Sequence, residues 1–548
     1  MATSLRNRRA ENLLSLILLL FVSSFSFSAA AGELSSYSDV ENRLSQRNFT
    51  QKQQAVEWLT TSRTPSVRLI LKGLLDGDIY YHRQSKKLYL IPELDIGNSA
   101  RLISENTDET IANKRDFKKV TLNNRLRTSI RLGIAQLDLS SETEVVRLKA
   151  AKALLGNTTE RVQTLIRDTY QQEPSEKVKT LLTLVLAISD IHSGEVRVRN
   201  NALTVLGESL EPVAFLALSR ALDAELTKKD PDAEFISGLE RFINGYQQSQ
   251  RVYSTVETLY FGLSLGSVLV LAGIGLAITF GVMGVINMAH GELIMLGAYT
   301  TYVMQQLMPD NIGMSLILSI PAAFLVAGAV GVAIERGVIR FLYGRPLETL
   351  LATFGISLIL QQAVRSIFSP LNRSVSTPDW MSGMLEINPM LSLTYNRLYI
   401  IFFCLVVFTA LVFILRKTSL GLQVRAVSQN RTMARAMGVR SEWVDAMTFG
   451  LGSGVAGVAG VALSQLTNVG PNMGQSYIID SFMVVVFGGV GNLWGTLIAG
   501  LSLGIFNKIL EPWAGAVLAK ILVLVFIILF IQKRPRGLFP QRGRAVEG

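Results

Sequence analysis

Cysteine and histidine are scarce in this chain of 548 residues, which contains one cysteine and three histidines. A single cysteine excludes an intrachain disulfide and a cysteine-rich metal site. Cys404 lies in an apolar segment, where it is expected to pack as a small hydrophobic residue. His82 and His192 have no carboxylate or cysteine at ligand spacing. The sequence therefore predicts neither a catalytic residue nor a metal site.

The sequence also lacks the nucleotide-binding pattern G-x-x-x-x-G-K-[ST]. Backbone amides and a lysine hold the phosphates in that pattern, so the chain is not expected to hydrolyse ATP by this route. The net charge of +11 is compatible with nucleic acid, but no clustered basic and aromatic surface accompanies it. Neither a cofactor nor a nucleic-acid partner is predicted.

Charged residues are unevenly distributed along the chain. Residues 32–250 have the charge density of a globular protein, whereas long apolar stretches dominate the later part of the chain. This asymmetry predicts a mostly α-helical protein of two bodies. A helical domain is expected at 32–250 and a polytopic membrane domain at 251–548.

The first 31 residues have the pattern of a secretory signal peptide. Arg6, Arg8 and Arg9 are followed by a short apolar core and then by an A-x-A ending at Ala31. The core is short for a membrane span, which needs about 20 apolar residues. An uncleaved anchor is the alternative. Both interpretations place residues 32–250 outside the cytoplasm.

Helical periodicity recurs in the domain at 32–250. Residues 145–155, 178–187 and 198–206 each have apolar residues at three- and four-residue spacing. A stack of helical hairpins of HEAT-like character is expected, with a binding or docking surface as its default role. Residues 79–96 are aromatic and alternating, which predicts a small β-hairpin among the helices.

The membrane domain contains a series of apolar segments long enough to cross a bilayer. They lie at about 257–282, 289–308, 313–334, 348–369, 397–416, 444–466, 478–490, 493–511 and 514–532. Eight to nine spans are predicted, some of them broken at glycines. The pair at 478–511 is either two spans or one re-entrant pair.

Basic residues mark one side of these segments. Arg336, Arg340 and Arg345 fall in one loop, and further arginines and lysines fall at 416–440 and in the tail. The alternate loops are nearly free of them. Since basic loops stay in the cytoplasm, the C-terminus is predicted to be cytoplasmic and the domain at 32–250 extracytoplasmic.

Polar residues inside the apolar segments are candidates for a translocation path. Asn287, His290 and Glu292 fall within six residues, and ionisable groups at membrane depth are costly enough to mark a pathway. Gln361 and Asp480 are further candidates. For His290 the alternative is a bracing hydrogen bond to Glu292 or to a backbone carbonyl. Glu292 facing water and Asp480 marking the outer interface are the corresponding alternatives for those two.

A short basic segment at 421–439 lies between two spans. Its small and apolar positions form one face of a helix that is expected to end at Gly438, and its arginines form the other. Such a helix is suited to docking into a groove of a partner protein. A basic helix lying on anionic lipid is the alternative.

These motifs together resemble the permeases of ABC importers of the branched-chain amino acid type. The segment 421–439 is similar to that family's coupling pattern through Gly421, Arg425, Asn430, Ala434 and Gly438. The string NMAHGE at 287–292, the strings TFGIS at 353–357 and GGVGN at 488–492, and the closing RPRGLF at 534–539 also fit. The resemblance covers about 257–540, nearly all of the membrane half.

The resemblance implies a set of partners. ATP would be bound by two separate ATPase subunits, which dock on the segment 421–439. A second homologous permease chain would complete the pathway, and an extracytoplasmic solute-binding protein would deliver the solute. The location implied is the inner (plasma) membrane of a bacterium.

Two features resemble the urea-transporter permease subunit that carries an N-terminal extension. One is the large domain before the membrane half, and the other is Asp480-Ser481-Phe482, where amino-acid permeases usually have Lys-Ala-Phe. Urea or short amides are therefore the expected substrates. The alternatives are branched-chain amino acids, a passive channel with a receptor domain, and a membrane-anchored docking scaffold.

Overall fold

The computed structural model describes residues 36–62, 66–157 and 159–539. The predicted signal peptide at 1–31 lies outside the described residues. The chain divides into two compact units, Met1–Ser209 with Val213–Ile243, and Leu210–Pro212 with Asn244–Gly548.

The first unit is built mainly from helices. They are α1 (Tyr37–Ser45), α2 (Phe49–Thr61), α3 (Val67–Asp76), α4 (Asn124–Asp138), α5 (Glu144–Leu154), α6 (Glu160–Gln172), α7 (Glu176–Asp190), α8 (Val196–Gly207) and α9 (Pro212–Leu226). Three of them confirm the helices expected at 145–155, 178–187 and 198–206. Their similarity to HEAT repeats stays a prediction.

A five-stranded antiparallel sheet interrupts these helices. Its strands are β1 (Ile79–His82), β2 (Leu88–Leu90), β3 (Ser99–Leu102), β4 (Thr107–Thr110) and β5 (Phe117–Lys119), in the order β4-β3-β2-β1-β5. The pairing of β1 with β2 confirms the predicted hairpin. The other three strands were not expected. They are only three or four residues long. Strand β4 is exposed along its whole length, and the alternation of β3, with Ala100 and Leu102 buried, is too short to predict a strand.

Ten helices among the described residues lie wholly or mostly in the second unit, the first of them beginning in the first unit. They are α10 (Ala233–Met283), α11 (His290–Leu307), α12 (Ile312–Gly337), α13 (Pro346–Phe368), α14 (Tyr395–Lys417), α15 (Ser419–Gln429), α16 (Arg431–Ala436), α17 (Ser441–Ser464), α18 (Met473–Gly488) and α19 (Leu493–Lys533). A two-stranded sheet of β6 (Met384–Asn388) and β7 (Leu391–Thr394) precedes α14.

Six of the described helices are long and apolar enough to cross a membrane. These are α10, α12, α13, α14, α17 and α19. Helix α10 has 51 residues, and residue 250, where the sequence places the domain boundary, lies inside it. Helices α11 and α18, both expected to span, are 18 and 16 residues long. The number of spans stays a prediction.

Helix α19 folds back on itself. Gly515 has non-helical angles (φ 75°, ψ 161°), and the rings of Phe506 and Phe526 lie 6.1 Å apart. Twenty residues of straight helix would separate them by about 30 Å, so the two arms on either side of Gly515 run antiparallel. The arms correspond to the apolar segments expected at 493–511 and 514–532.

Helix α17 lies at the centre of the second unit, and nearly all of its residues are buried. Glycines allow α11 to approach it at backbone distance. A Cβ atom on Gly297 would lie 1.9 Å from the carbonyl oxygen of Gly457, and one on Gly460 would lie 2.0 Å from that of Ile294. Small residues at such contacts let membrane helices pack closely.

Candidate functional site

The polar residues of 287–292 lie where the chain breaks between α10 and α11. Gly284 has a φ of 68°, and residues 284–289 are not helical. The backbone groups released by the break are held by side chains. The Asn287 Oδ1 accepts a hydrogen bond of 3.0 Å from the N–H of Ala289, and the N–H of Met288 donates to the Thr353 Oγ1 at 3.1 Å. Irregular backbone is stable at membrane depth only with such partners.

His290 connects α11 to α10. Its side chain is fully buried, and its Nε2 lies 2.8 Å from the carbonyl oxygen of Ala272. A carbonyl can only accept, so Nε2 carries a proton and Nδ1 of the neutral ring is an acceptor. This contact is the backbone brace that the sequence offered as the alternative role of His290.

Glu292 connects α11 to α13. Its carboxylate is 1% exposed, and its Oε1 accepts a hydrogen bond of 3.1 Å from the Ser357 hydroxyl. Helix α18 approaches the other oxygen, because a Cβ atom on Gly474 would lie 2.7 Å from Oε2. The predicted alternative, a Glu292 that faces water, does not match this burial.

Three buried polar atoms of this segment have no hydrogen-bond partner among the described residues. They are Asn287 Nδ2, His290 Nδ1 and Glu292 Oε2. Buried polar atoms normally have a hydrogen-bond partner, so three without one in a single segment are unusual. His290 and Glu292 are two residues apart, about 200° around a helix, and so contact different neighbours. The segment therefore offers one donor and two acceptors at separate points.

Helix α13 presents a polar stripe to the same region, which the sequence reasoning missed apart from Gln361. Thr349, Thr353, Ser357 and Gln361 are all buried and are spaced four residues apart. Gln361 Nε2 donates to the carbonyl oxygen of Pro471 and to Asn472 Oδ1, both at 3.2 Å. The four-residue spacing is the sequence signal that would have identified the stripe.

Asp480 is held by an ion pair away from these contacts. It is 5% exposed in α18, and its Oδ2 lies 2.9 Å from the Nζ of Lys520 in the second arm of α19. Its described bonds do not reach 287–292. The pair is neutral overall, so the charge that Asp480 adds to this position is compensated by Lys520.

The expectation of one helix through 421–439 is wrong. Helices α15 and α16 are separated at Asn430, whose backbone is extended (φ −152°, ψ 102°). The Asn430 Oδ1 accepts a hydrogen bond of 2.9 Å from the N–H of Met433 and so caps α16. Asparagine favours this N-cap role, which explains the break. Gly438, with a φ of 84°, follows the second helix.

The predicted coupling residues have different surroundings in this segment. Arg425 Nη1 donates to the carbonyl oxygen of Leu415, and Gly421 lies so close that a Cβ atom there would be 2.1 Å from the same oxygen. Ala434 is buried in a cluster of valines. Met433 and Met437, in contrast, are 63% and 83% exposed. Leu422 in α15 is 63% exposed as well, so the exposed apolar surface of the segment is made by this leucine and the two methionines.

Arg431 fastens α16 to the membrane helices. Its Nη2 donates to the Asp445 carboxylate in α17 and to the Tyr343 hydroxyl at 3.0 Å, and its guanidinium lies 4.0 Å from the centre of the Tyr343 ring. Burial and then the Asp445 charge raise the pKa of Tyr343, so its hydroxyl stays protonated. This contact links the start of α16 directly to α17.

Comparisons with known proteins agree on the membrane half. A family model described as the permease component of branched-chain amino acid transport systems matches residues 258–531. The permease BraD of Pseudomonas aeruginosa is 28% identical over 296 residues, which is 52% of this chain and 96% of that protein. Two further relatives, LivH and RbsC, are also named as permeases.

The permease LivH of Salmonella typhimurium is 29% identical over 301 residues, which is 53% of this chain and 97% of LivH. BraD and LivH are both named as permeases of high-affinity branched-chain amino acid transport systems. The ribose import permease RbsC of Escherichia coli is 24% identical over 288 residues, 50% of this chain and 85% of RbsC. No solved structure matches the chain.

Proposed function

The chain belongs to the family of permease components of branched-chain amino acid transport systems, and we propose that it forms half of the translocation pathway of an ATP-driven importer. The observation that carries this proposal is the buried segment 287–292 with its three unpartnered polar atoms. A polar solute passing between the helices supplies partners for such atoms. The pathway residues are Asn287, His290 and Glu292, with Gln361 on the polar stripe of α13.

Branched-chain amino acids are the first substrate class, because the family description and the names of BraD and LivH specify them. Urea or a short amide is the second. The Asp480–Lys520 ion pair favours it, because a cation already neutralised by an acid offers little to the carboxylate of an amino acid. A neutral amide needs only groups such as the Asn287 amide and the Glu292 carboxylate.

Uptake measured in one strain separates these substrates. The complete transporter is expressed in cells that lack their own leucine and urea uptake, and radiolabelled leucine and urea are supplied in parallel. Leucine uptake alone supports the first class, and urea uptake alone supports the second. Uptake of neither by a correctly assembled complex contradicts the importer. Uptake that persists when the ATPase subunits are inactivated favours a passive channel.

The energy source lies in separate subunits that dock on α15 and α16. The sequence has no P-loop of its own, and Met433 and Met437 give the segment an exposed apolar face. Two ATP-binding subunits, a second homologous permease and an extracytoplasmic solute-binding protein complete the assembly. The basic loops favour a cytoplasmic position for α15 and α16 in an inner-membrane, multi-pass protein, with the N-terminal domain outside.

We expect the substitutions Met433→Glu and Met437→Glu together to prevent ATPase docking. Charges on an apolar contact surface have to be desolvated, so the ATPase subunits should no longer copurify with the permease. The control is Met384→Glu with Ile387→Glu, which changes two exposed apolar side chains in β6. Retention of the ATPase in both double variants would contradict a docking role of α16.

A further inference from the structure

A basic cavity lies in the first unit, at the start of α2 and beside strands β1 and β5. Its volume is about 360 Å³, and four basic residues line it: Arg47, Lys52, Lys118 and Lys119. No aspartate or glutamate is among its lining residues. Clefts of a few hundred Å³ with convergent polar groups are the usual sites for small ligands.

Lys52 is the most unusual residue of this cavity. Its side chain is 2% exposed, and its Nζ donates to the Thr121 carbonyl oxygen at 2.8 Å and to the Thr121 hydroxyl at 3.2 Å. An ammonium has three N–H donors, so one more is available than these contacts use. Within the described residues no carboxylate forms an ion pair with it. Buried charges are normally paired with an opposite charge.

The other cations increase the positive potential rather than relieve it. Lys118 is half-buried and stands opposite Tyr81 in the β1–β5 pairing, so both side chains lie on the same face of the sheet. Burial and then the charge of Lys118 lower the pKa of Lys52. In the described chain neither Lys118 nor Arg47 forms an ion pair. Lys119 lines the rim, with its ammonium 5.9 Å from the Tyr80 ring centre.

Apolar surface adjoins these charges. Phe49, at the first position of α2, and Tyr81 both line the cavity, and Lys52 Nζ lies 5.5 Å from the Phe49 ring centre. The start of α2 is also the positive end of its helix dipole. The site thus combines an uncompensated positive charge with two aromatic rings.

We infer that this cavity binds a small organic anion with a carboxylate or phosphate group. The anion accepts the remaining N–H of Lys52 and pairs with Lys118 and Arg47, while its carbon skeleton contacts Phe49 and Tyr81. Charge-assisted hydrogen bonds of this type are the strong ones in proteins. The site is independent of the translocation path and gives the N-terminal unit a ligand of its own.

Calorimetric titration of the detergent-purified full chain tests this inference. The probes are succinate, inorganic phosphate and the uncharged succinamide. We expect saturable binding of succinate or phosphate and none of succinamide. If neither anion binds, or if succinamide binds equally well, the inference is overturned. Binding of a hexaglutamate peptide without binding of either small anion also overturns it, in favour of a protein partner.

Matched variants locate the binding. Arg47→Gln with Lys118→Gln should weaken anion binding at least about tenfold, the effect of losing one charge-assisted bond. Lys149→Gln with Lys177→Gln removes the same charge from exposed positions of the same unit and should leave binding unchanged. Lys52→Met should abolish binding while the chain still folds, because Thr121 is exposed to water. Equal binding by the pocket pair and the control pair would overturn the assignment.

Discussion

The Glu292 carboxylate depends on a single hydroxyl. Ser357 donates the only described hydrogen bond to it, and its second oxygen has none. A buried carboxylate with so few partners is costly, and under the proposed function a passing polar solute would relieve that cost. The proposed pathway is therefore expected to be sensitive to the loss of the Ser357 oxygen atom.

We predict that Ser357→Ala lowers both stability and solute uptake. Removing the donor leaves the buried carboxylate unpaired, at a cost of about 1–3 kcal/mol. Thermal unfolding of the detergent-purified chain and uptake by the assembled transporter measure the two effects.

Ser319→Ala is the matched control for this variant. The Ser319 hydroxyl is also buried, but it bonds only to the carbonyl oxygen of Leu316 in its own helix, at 2.6 Å. Little change is expected there. Similar losses in the two variants would mean that Ser357 acts through packing and not through Glu292.

Single residues of the site were predictable where their chemistry is rare in a membrane segment. Asn287, His290 and Glu292 stand out because amides and ionisable groups are costly there. Thr353 and Ser357 do not stand out, because a hydroxyl can bond to its own helix and is common in apolar helices. Their contacts with Met288 and Glu292 depend on the packing of α13 beside α11, which is a feature of the tertiary structure.

At the scale of elements, the ends of most helices follow from apolar length. Spans expected at 313–334 and 348–369 correspond to α12 and α13 within three residues. The break at Asn430 was missed because the residues on both sides continue one amphipathic pattern. The Asn430 side chain accepts a hydrogen bond from the N–H of Met433, and this cap interrupts the helix despite the pattern. Strands β3, β4 and β5 were missed because each is only three or four residues long.

We predict that Arg431 and Asp445 act as one unit. Arg431→Gln and Asp445→Asn should each lower stability and ATP-dependent uptake, while the double variant should cost about 1–3 kcal/mol less than their sum. The physical reason is that each single change leaves a buried partner uncompensated. A double-mutant cycle of thermal unfolding measures the interaction.

The exposed pair Arg345–Glu348 provides the reference cycle. Both side chains are more than half exposed, and surface pairs contribute at most about 1 kcal/mol. Additive effects for Arg431 and Asp445, like those expected for the surface pair, would contradict a mechanical link between α16 and α17.

At the scale of the whole molecule, the two units pack differently. The second buries glycine-rich helices against one another and the first has several small apolar cores, but both contain buried ion pairs. Glu173 is such a case: its carboxylate is 5% exposed and binds Arg147 through contacts of 2.9 Å and 3.0 Å. Burial alone would raise the pKa of Glu173, but the bonds from Arg147 and the Ser175 N–H lower it overall.

We predict that Arg147→Gln destabilises the chain at neutral pH, because it leaves Glu173 buried without a counter-charge. A carboxyl whose folded pKa is depressed stabilises the fold above its unfolded pKa, about 4.3, and this contribution is lost as pH falls through the folded pKa. The difference in Tm between the natural chain and the variant should therefore narrow from pH 7 to pH 3.

The exposed Lys87–Glu105 pair supplies the control for that experiment. Lys87→Gln should change the Tm less than Arg147→Gln does at pH 7. If the Tm difference between the natural chain and Arg147→Gln stays constant down to pH 3, the effect of the substitution does not come from the Glu173 charge.

The concentration of membrane-capable helices in the later part of the chain was predictable from charge density. The substrate and the arrangement of partners were not, because they depend on surfaces formed with other chains. The role of the N-terminal unit was not predictable either. Its basic cavity joins residues more than sixty positions apart, Lys52 and Lys118, through the packing of α2 against the sheet.

The single cysteine has a practical consequence for measuring conformational change by site-specific labelling. Cys404 is 1% exposed within α14, out of reach of water-soluble maleimides. A cysteine placed at the exposed Thr432 of α16 would then be the one accessible labelling position on an otherwise natural chain. A fluorophore or spin label there would show whether α16 moves when nucleotide is supplied to the assembled complex, with no need to build a cysteine-free background first.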